Sequence, residues 1–276
     1  MKSSINTRLA FTLIGISIYC FCSAQSVINT FIAPGTPSSQ IVSKNLVNQR
    51  SVTQFNNNGQ VPCLADEVTN AYIQDQLAKD PSYMKKVNMQ NLNLQQWVQN
   101  FTNNQAKKVV RTIPVAVHVV HNPGNPNNPS ENVSDAVIYA MINTLNEDFR
   151  RQNADASQTR TVFLADAADS EIEFCLATKD PSGASTTGIT RTVTAEVYYN
   201  SNTETDKMKQ NSTGGEDAWD PFNYLNIWIC NISNYQGFGV AGYAYLPTFG
   251  MHGSWRDGLV LDFDIGVGGG SRTATH

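Results

Sequence analysis

The residues best suited to metal chemistry in this 276-residue sequence are its four histidines and five cysteines. His276 stands at the end of "GGGSRTATH", where Ser271 is a favourable residue for starting a helix. In H-E-x-x-H zinc sites, one helix carries two imidazoles on the same face, beside a glutamate that activates the zinc-bound water. His276 could be the first letter of such a motif; the alternatives are a disordered end or a tag remnant.

Two other patterns have simpler structural interpretations. His118 and His121 lie in "TIPVAVHVVH", a β-branched run that predicts a buried strand. Residues three apart on a strand point to opposite faces, so this pair is predicted to be structural. Gly237, Gly239 and Gly242 match G-x-G-x-x-G, but the strand-like "YAYLP" follows instead of the helix that a dinucleotide site requires.

The N-terminus indicates export. Lys2 and Arg8 precede an apolar run from Leu9 to Cys22, and Ala24 offers a small residue for cleavage before Gln25. The run is shorter than the roughly 20 residues that span a bilayer. We therefore predict a signal peptide at 1–24, a secreted or extracytoplasmic protein and no membrane anchor. The formal net charge of −4 gives no basic surface for nucleic acid.

Cleavage of that signal peptide leaves three cysteines. Cys175 and Cys230 lie in strand-like apolar segments, "EIEFCLAT" and "LNIWICNI", whereas Cys63 is in a polar setting. An odd number in an oxidising compartment predicts one disulfide and one free thiol. Cys175 and Cys230 are the candidate pair; the alternative is two buried thiols.

The pattern of apolar residues divides the rest of the chain. Residues 25–62 are polar and irregular, amphipathic helices are predicted over Asp66–Lys79 and Pro81–Asn103, and 104–112 is a polar linker. From Ile113 onward, strands alternate with helices, which predicts an α/β sheet with helices packed on it. The predicted elements are a strand from Ile113, a helix with the core stripe Ile138, Met141, Ile142, Leu145 and Phe149, strands at Ile172–Thr178, Leu225–Ile232, Val240–Leu246 and Leu259–Phe263, and a second helix around Thr203–Lys209.

Several phrases, taken together and in order, resemble the secreted bacterial branch of the pappalysin family of metzincin zinc endopeptidases. They are "IPVAVHVVH", "LNEDFRRQNAD", "IEFCLATKDPSGASTTGITR", "YLNIWICNI", "GYAYLP" and "DGLVLDF". They extend from about Ile113 to His276, and "CLADEVTN" followed by "DPSYM" resembles the start of the family's pro-region. Taken as a set and in this order, these phrases are specific.

The resemblance implies a metzincin-like N-terminal subdomain, a mixed twisted sheet with packed helices, at 113–276. A mostly helical pro-region would precede it at 25–112, with its helical part at 63–103. His276 matches the first zinc ligand, while the glutamate base and the two further histidines have no counterparts in this sequence. The resemblance therefore implies an inactive fragment of a Zn²⁺-dependent enzyme that cleaves proteins or peptides, and it leaves Ca²⁺ open as a further cofactor.

Two more roles follow from the resemblance. Cys63 matches the cysteine before the family's pro-region helix, whose thiolate can occupy the fourth zinc position and keep the zymogen latent; the alternative is an exposed thiol without a role. Gly242, Tyr243, Ala244 and Tyr245 match an edge strand that would bind substrate backbone, or they form an ordinary edge strand. The competing hypothesis for the whole chain is a non-catalytic exported binding or adhesion domain.

Overall fold

The structure is a computed structural model that describes residues 64–103, 109–125, 130–233, 240–264 and 275. The expected signal peptide, the stretch at 25–62, Cys63 and His276 lie outside the described residues.

The predicted helical region consists of two helices, α1 (Ala65–Lys79) and α2 (Tyr83–Asn103). Helix α2 begins at Tyr83 instead of Pro81, because Pro81 and Ser82 form a turn in which the Tyr83 amide donates to the Asp80 carbonyl oxygen over 2.9 Å. The Asp80 carboxylate accepts hydrogen bonds from the Ser82 amide and hydroxyl, which fixes this turn. In the part of the chain that the structure describes, no helix combines the length and apolar character needed to cross a membrane.

A mostly parallel sheet forms the centre of the fold. Its strands run in the order β2-β1-β5-β8-β7; β3 also pairs with β1, and β7 is antiparallel to β8. Strands β4 and β6 form a separate parallel pair. The strand bounds are β1 (Arg111–His121), β2 (Ile172–Leu176), β3 (Ile189–Val193), β4 (Tyr199–Asn200), β5 (Leu225–Cys230), β6 (Ile232–Ser233), β7 (Gly242–Ala244) and β8 (Leu259–Asp262).

One face of the sheet packs against α3 (Asp135–Phe149). The predicted stripe is confirmed, since four of its five residues are buried and Phe149 is partly buried against them. Alternate residues of β1 and β5 supply the sheet side of this core, as a strand's two-residue period requires. This core contains Val115, Val117, Val119, Ile138, Met141, Ile142, Leu145, Ile227 and Ile229.

The other face of the sheet forms a second core, which includes residues from the N-terminal helical region. Leu64 and Val68 are each 5% exposed and pack in the same cluster as Trp228 and Val260. The segment expected to be a pro-region is therefore part of the hydrophobic core that the sheet builds. The remaining members of this cluster are Val120, Tyr199, Met208, Cys230, Ile232, Val240, Tyr243, Tyr245 and Met251.

Three kinds of boundary differ from the sequence expectation. Strand β1 begins at Arg111, two residues before the predicted Ile113, so the last two residues of the predicted linker at 104–112 pair with β2. The helix predicted around Thr203–Lys209 is wrong: only Lys207–Lys209 is helical, as a 3₁₀ turn. Met208 and Lys209 are both buried in this turn. The conformation of the segment is therefore determined by its burial in the fold and not by a helical pattern in its sequence. The strands after β1 are shorter than predicted, because an apolar run continues past the last residue that pairs with a neighbouring strand.

Candidate functional site

Strand β7 occupies the edge of the sheet, as predicted for Gly242, Tyr243, Ala244 and Tyr245. The first three form the strand and Tyr245 follows it. Gly242 is required by a close approach: a Cβ there would lie 2.6 Å from the Val260 carbonyl oxygen on β8. This close packing explains the glycine at 242. A dinucleotide site is not needed to explain it, because Gly242 begins a strand and such a site requires a helix there. Gly237 and Gly239 lie outside the described residues.

The N-terminal segment covers the outward side of this edge. The Leu64 amide donates to the Gly242 carbonyl oxygen over 3.5 Å, a long hydrogen bond. The Leu246 amide donates to Thr69 Oγ1 over 2.8 Å, and Thr69 is 4% exposed. An edge strand has unpaired backbone groups on its open side. Here the Gly242 carbonyl of β7 and the Leu246 amide, two residues beyond the strand, are bonded to residues that precede the sheet in sequence.

Aromatic side chains extend the contact beyond the strand. Tyr83 is 3% exposed, and its hydroxyl donates to the Phe249 carbonyl oxygen over 2.8 Å. The same hydroxyl lies 3.1 Å from Thr248 Oγ1. Tyr72 lies between Tyr83 and Tyr245, with ring centroids 6.5 Å and 5.8 Å away. Helix α1 and the start of α2 are therefore held against residues 242–249 by hydrogen bonds and ring contacts together.

The Tyr245 side chain contacts a partly buried group of polar residues that the sequence did not reveal. The Tyr245 hydroxyl donates to Asp206 Oδ1 over 3.0 Å, and Arg256 Nε donates to Asp206 Oδ2 over 2.7 Å. Lys209 is 1% exposed; its Nζ donates to the Arg256 carbonyl oxygen over 2.7 Å and lies over the rings of Trp228 and Tyr245. Burial lowers the pKa of Lys209 to about 8, although Asp206 opposes the shift. This group fixes the side chain of Tyr245, the residue directly after the edge strand.

His118 has the structural role that its strand position predicted. It is fully buried, its Nε2 donates to Asn226 Oδ1 over 2.9 Å, and its Nδ1 accepts from the Thr190 hydroxyl over 2.9 Å. The Asn226 amide is fixed in turn by the backbone of Trp219. Burial lowers the pKa of His118 to about 4, so the ring is neutral at pH 7. His118 therefore joins β1, β3 and β5 and is not arranged as a metal ligand.

A second buried polar group follows β1. Glu131 is 2% exposed and accepts hydrogen bonds from the Asn122 amide and from the Asn125 and Asn231 side chains, over 2.8, 2.7 and 3.0 Å. Asn125 and Asn231 also donate to the Val197 carbonyl oxygen. One carboxylate thus connects the ends of β1 and β5 with the loop before β4. Nothing in the spacing of "SEN" indicated this role.

The predicted Cys175–Cys230 disulfide is wrong: both are free thiols, Cys175 exposed and Cys230 buried. Register explains why they cannot bond. Cys175 pairs with Pro114 on β1, whereas Ile229, the neighbour of Cys230, pairs with Val119. Five residues of strand span about 17 Å, and disulfide-bonded residues have Cα atoms within about 7 Å. The alternative of two buried thiols is right only for Cys230.

The other predicted site residues, Cys63 and His276, lie outside the described residues, but a neighbour of each is placed. Leu64, which follows Cys63, is bonded to Gly242 of the edge strand. Thr275, which precedes His276, donates from Oγ1 to Asp148 Oδ2 over 2.8 Å, near the end of α3. Among the described residues, no three His, Cys, Asp or Glu side chains are grouped as a metal site.

No protein-family description matches this chain, and no curated protein sequence matches it. Several solved structures do match this chain. Promirolysin of Tannerella forsythia, as a Glu-to-Ala mutant, is 36% identical over 66% of this chain and 58% of its own, with a TM-score of 0.50. Mature mirolysin in complex with a cleaved peptide is 41% identical over 57% of this chain and 54% of its own, with a TM-score of 0.49. Mirolysin in complex with compound 9 is 41% identical over 56% and 53%, with a TM-score of 0.48.

The chain spans 53% to 58% of the length of the proteins it matches. The predicted fold class is confirmed: the structure is an α/β fold with a twisted, mostly parallel sheet and packed helices, and it matches the metzincin-like fold of promirolysin.

Proposed function

We propose that this chain belongs to the precursor of a secreted zinc metalloendopeptidase of the pappalysin type. In this proposal residues 1–24 are a signal peptide, 25–112 a pro-region and 113–276 part of the catalytic domain. The alignment with promirolysin, at 36% identity over 66% of the chain, supports a peptidase precursor over a non-catalytic binding or adhesion domain.

The observation that carries the proposal is the contact between the N-terminal segment and the edge strand. Leu64 and Thr69 bond to backbone groups of Gly242 and Leu246, where an extended peptide would pair with the sheet. A segment that precedes a catalytic sheet and covers its free edge keeps substrate away until it is removed. This arrangement is what a latent peptidase requires and what a binding domain with an open edge would avoid.

Removal of the segment would allow β7 to bind substrate. The Gly242 carbonyl and the Leu246 amide would then be free to bond to the backbone of an extended peptide. Backbone pairing gives affinity for many sequences, which suits an endopeptidase acting on unfolded protein. Asp206, together with the buried Lys209 and with Arg256, would hold Tyr245 in place next to the bound peptide.

The described residues do not themselves form a zinc site, so the metal part of the proposal depends on His276. A catalytic zinc needs three protein ligands and an open position, and the family motif would supply the other ligands after His276. When bound, zinc would supply a Lewis acid at the scissile carbonyl. The Thr275 hydroxyl bonded to Asp148 would connect the residue before His276 to α3.

Cys63 is the proposed inhibitory thiol. Its neighbour Leu64 is bonded to the edge strand, so the chain immediately after Cys63 lies at the proposed substrate-binding strand. A thiolate is a good zinc ligand, and binding it would exclude the catalytic water.

The proposal is tested with the complete precursor. We expect that cutting it within 104–112 and removing the N-terminal piece produces hydrolysis of an unfolded protein substrate. A chelator should abolish this hydrolysis and added Zn²⁺ should restore it, while the uncut precursor serves as the inactive control. Processed protein that binds zinc but does not hydrolyse any unfolded substrate would refute the proposal.

A further inference from the structure

The contacts between the N-terminal region and the sheet are concentrated in residues 64–83, which we call the docked segment. Its buried residues are Leu64, Ala65, Val68, Thr69 and Tyr83, each 7% exposed or less. From Met84 to Asn100 the structure describes no buried residue. The buried contacts with the sheet are therefore made by Leu64, helix α1 and the first residue of α2. Beyond them, the Lys86 ammonium lies over the Phe249 ring, 5.6 Å from its centroid.

The docked segment makes hydrogen bonds at both of its ends. Near its start are the bonds of Leu64 to Gly242 and of Leu246 to Thr69, and at its end is the bond from the Tyr83 hydroxyl to Phe249. We call residues 242–249 the docking surface. The last two of these bonds use backbone groups of the docking surface together with a buried side chain of the segment, Thr69 or Tyr83, so they are specific for these side chains. The Tyr83 hydroxyl also lies 3.1 Å from Thr248 Oγ1 of the docking surface.

Apolar contacts join these hydrogen bonds. Leu64 and Val68 pack with Tyr243 and Tyr245 in the second core, and Tyr72 adds ring contacts with Tyr245. If the segment left, this surface would be exposed to water, which is unfavourable in proportion to the apolar area. A buried centre with hydrogen bonds at its ends is typical of interfaces that bind without a covalent link.

The expected activation cut is far from these contacts. Helix α2 has 21 residues, which corresponds to about 30 Å between Tyr83 and Asn103. A cut within 104–112 therefore leaves every bond of the docked segment intact. Cutting there removes the covalent link without uncovering β7.

We propose that the docking surface binds the docked segment as a separable ligand, so that a chain cut within 104–112 retains its N-terminal piece and keeps β7 covered. This inference rests on the proposed function for its consequence, which is that the first cut alone does not activate the enzyme. The enzyme becomes active only after the N-terminal piece dissociates or is cut again within 64–83. The same surface would bind a free peptide with the sequence of residues 64–86.

The test uses the 25–276 chain with a recognition site for a sequence-specific protease inserted after Gln105. After complete cutting, size-exclusion chromatography and native mass spectrometry measure whether the two pieces remain together at micromolar concentration. We expect one complex in the cut wild-type chain. Separation of the pieces immediately after cutting would overturn the proposal. Neither metal nor peptidase activity enters this measurement, so it is independent of whether the proposed function is correct.

Variants of the cut chain test the named contacts. Tyr83→Phe removes one hydroxyl and leaves the Phe249 carbonyl without that donor, so we expect the piece to dissociate roughly tenfold faster. Met89→Ala is the matched control, because Met89 lies on the same piece and is 56% exposed; it should dissociate at the wild-type rate. Equal rates for wild type and Tyr83→Phe would contradict the assigned contact.

A competition experiment avoids variants that fail to fold. An excess of synthetic 64–86 peptide is added to the cut wild-type chain, and release of the labelled N-terminal piece is followed. We expect the peptide to replace the N-terminal piece. The same peptide carrying Tyr83→Phe should need a roughly tenfold higher concentration to release the same fraction of the piece. Failure of the wild-type peptide at saturating concentration to replace any of the piece would show that the docking surface does not bind this segment in trans.

Discussion

Acid should destabilise this fold through one buried histidine. His118 is fully buried, and its pKa is about 4 in the folded chain against 6.5 for an unperturbed histidine. Between these values the unfolded chain holds a proton that the folded chain does not, so stability falls as the pH decreases from 6.5 to 4. This lowering of the pKa corresponds to about 3 kcal/mol of stability that is lost between pH 6.5 and pH 4.

The assay is urea unfolding of the 25–276 chain at several pH values, with His118→Gln as the comparison. The variant lacks the titrating ring, while His121, whose pKa burial also lowers, is present in both proteins. We expect His118→Gln to be less stable at pH 7.5, because the Thr190 and Asn226 contacts are disturbed. The free energy of unfolding of wild type minus that of the variant should decrease by about 3 kcal/mol between pH 7.5 and pH 4. Parallel stability curves for the two proteins would refute this reasoning.

Three further predictions follow from other buried or covered groups. Glu131→Ala should lower the free energy of unfolding by about 2–4 kcal/mol, since it leaves buried amide donors unpaired, whereas Glu131→Gln should cost less; equal stability of wild type and Glu131→Ala in urea would contradict the role of this carboxylate. Cys175 should alkylate in the native protein and Cys230 only after unfolding, as peptide mass spectrometry can measure; a disulfide-linked peptide joining them would show that the register is wrong. Cys63→Ala should remove the thiolate-to-metal charge-transfer absorption from the cobalt-substituted complete precursor yet leave it nearly inactive, because the docked segment still covers β7; the same absorption in both proteins would rule out Cys63 as a ligand.

Patterns with a clear period predicted the fold well. The stripe on α3 and the β-branched run of β1 gave these elements their correct faces, because each combines strong local propensity with burial. The edge position of β7 was also predicted, through the family resemblance. The pairing of Cys175 with Cys230 was wrong, because two strand-like segments do not reveal how far one is displaced along the sheet from the other.

The polar part of the site could not be predicted. Lys209 is a surface residue by type, and only the fold shows that its ammonium group lies over the rings of Trp228 and Tyr245. Thr69 and Tyr83 are unremarkable in an amphipathic helical region; their bonds to residues 246–249 join parts of the chain more than 160 residues apart. Contacts of this kind depend on packing between distant segments, which no local pattern records.

Replacing His276 tests most directly the proposal that this residue is the first zinc ligand of a peptidase. The complete, processed precursor and its His276→Ala variant are compared for bound zinc per chain and for hydrolysis of an unfolded protein. We predict one tightly bound zinc and hydrolysis in wild type, with both lost in His276→Ala while the urea unfolding of the sheet is retained. Wild-type zinc content and hydrolysis in His276→Ala would contradict the account.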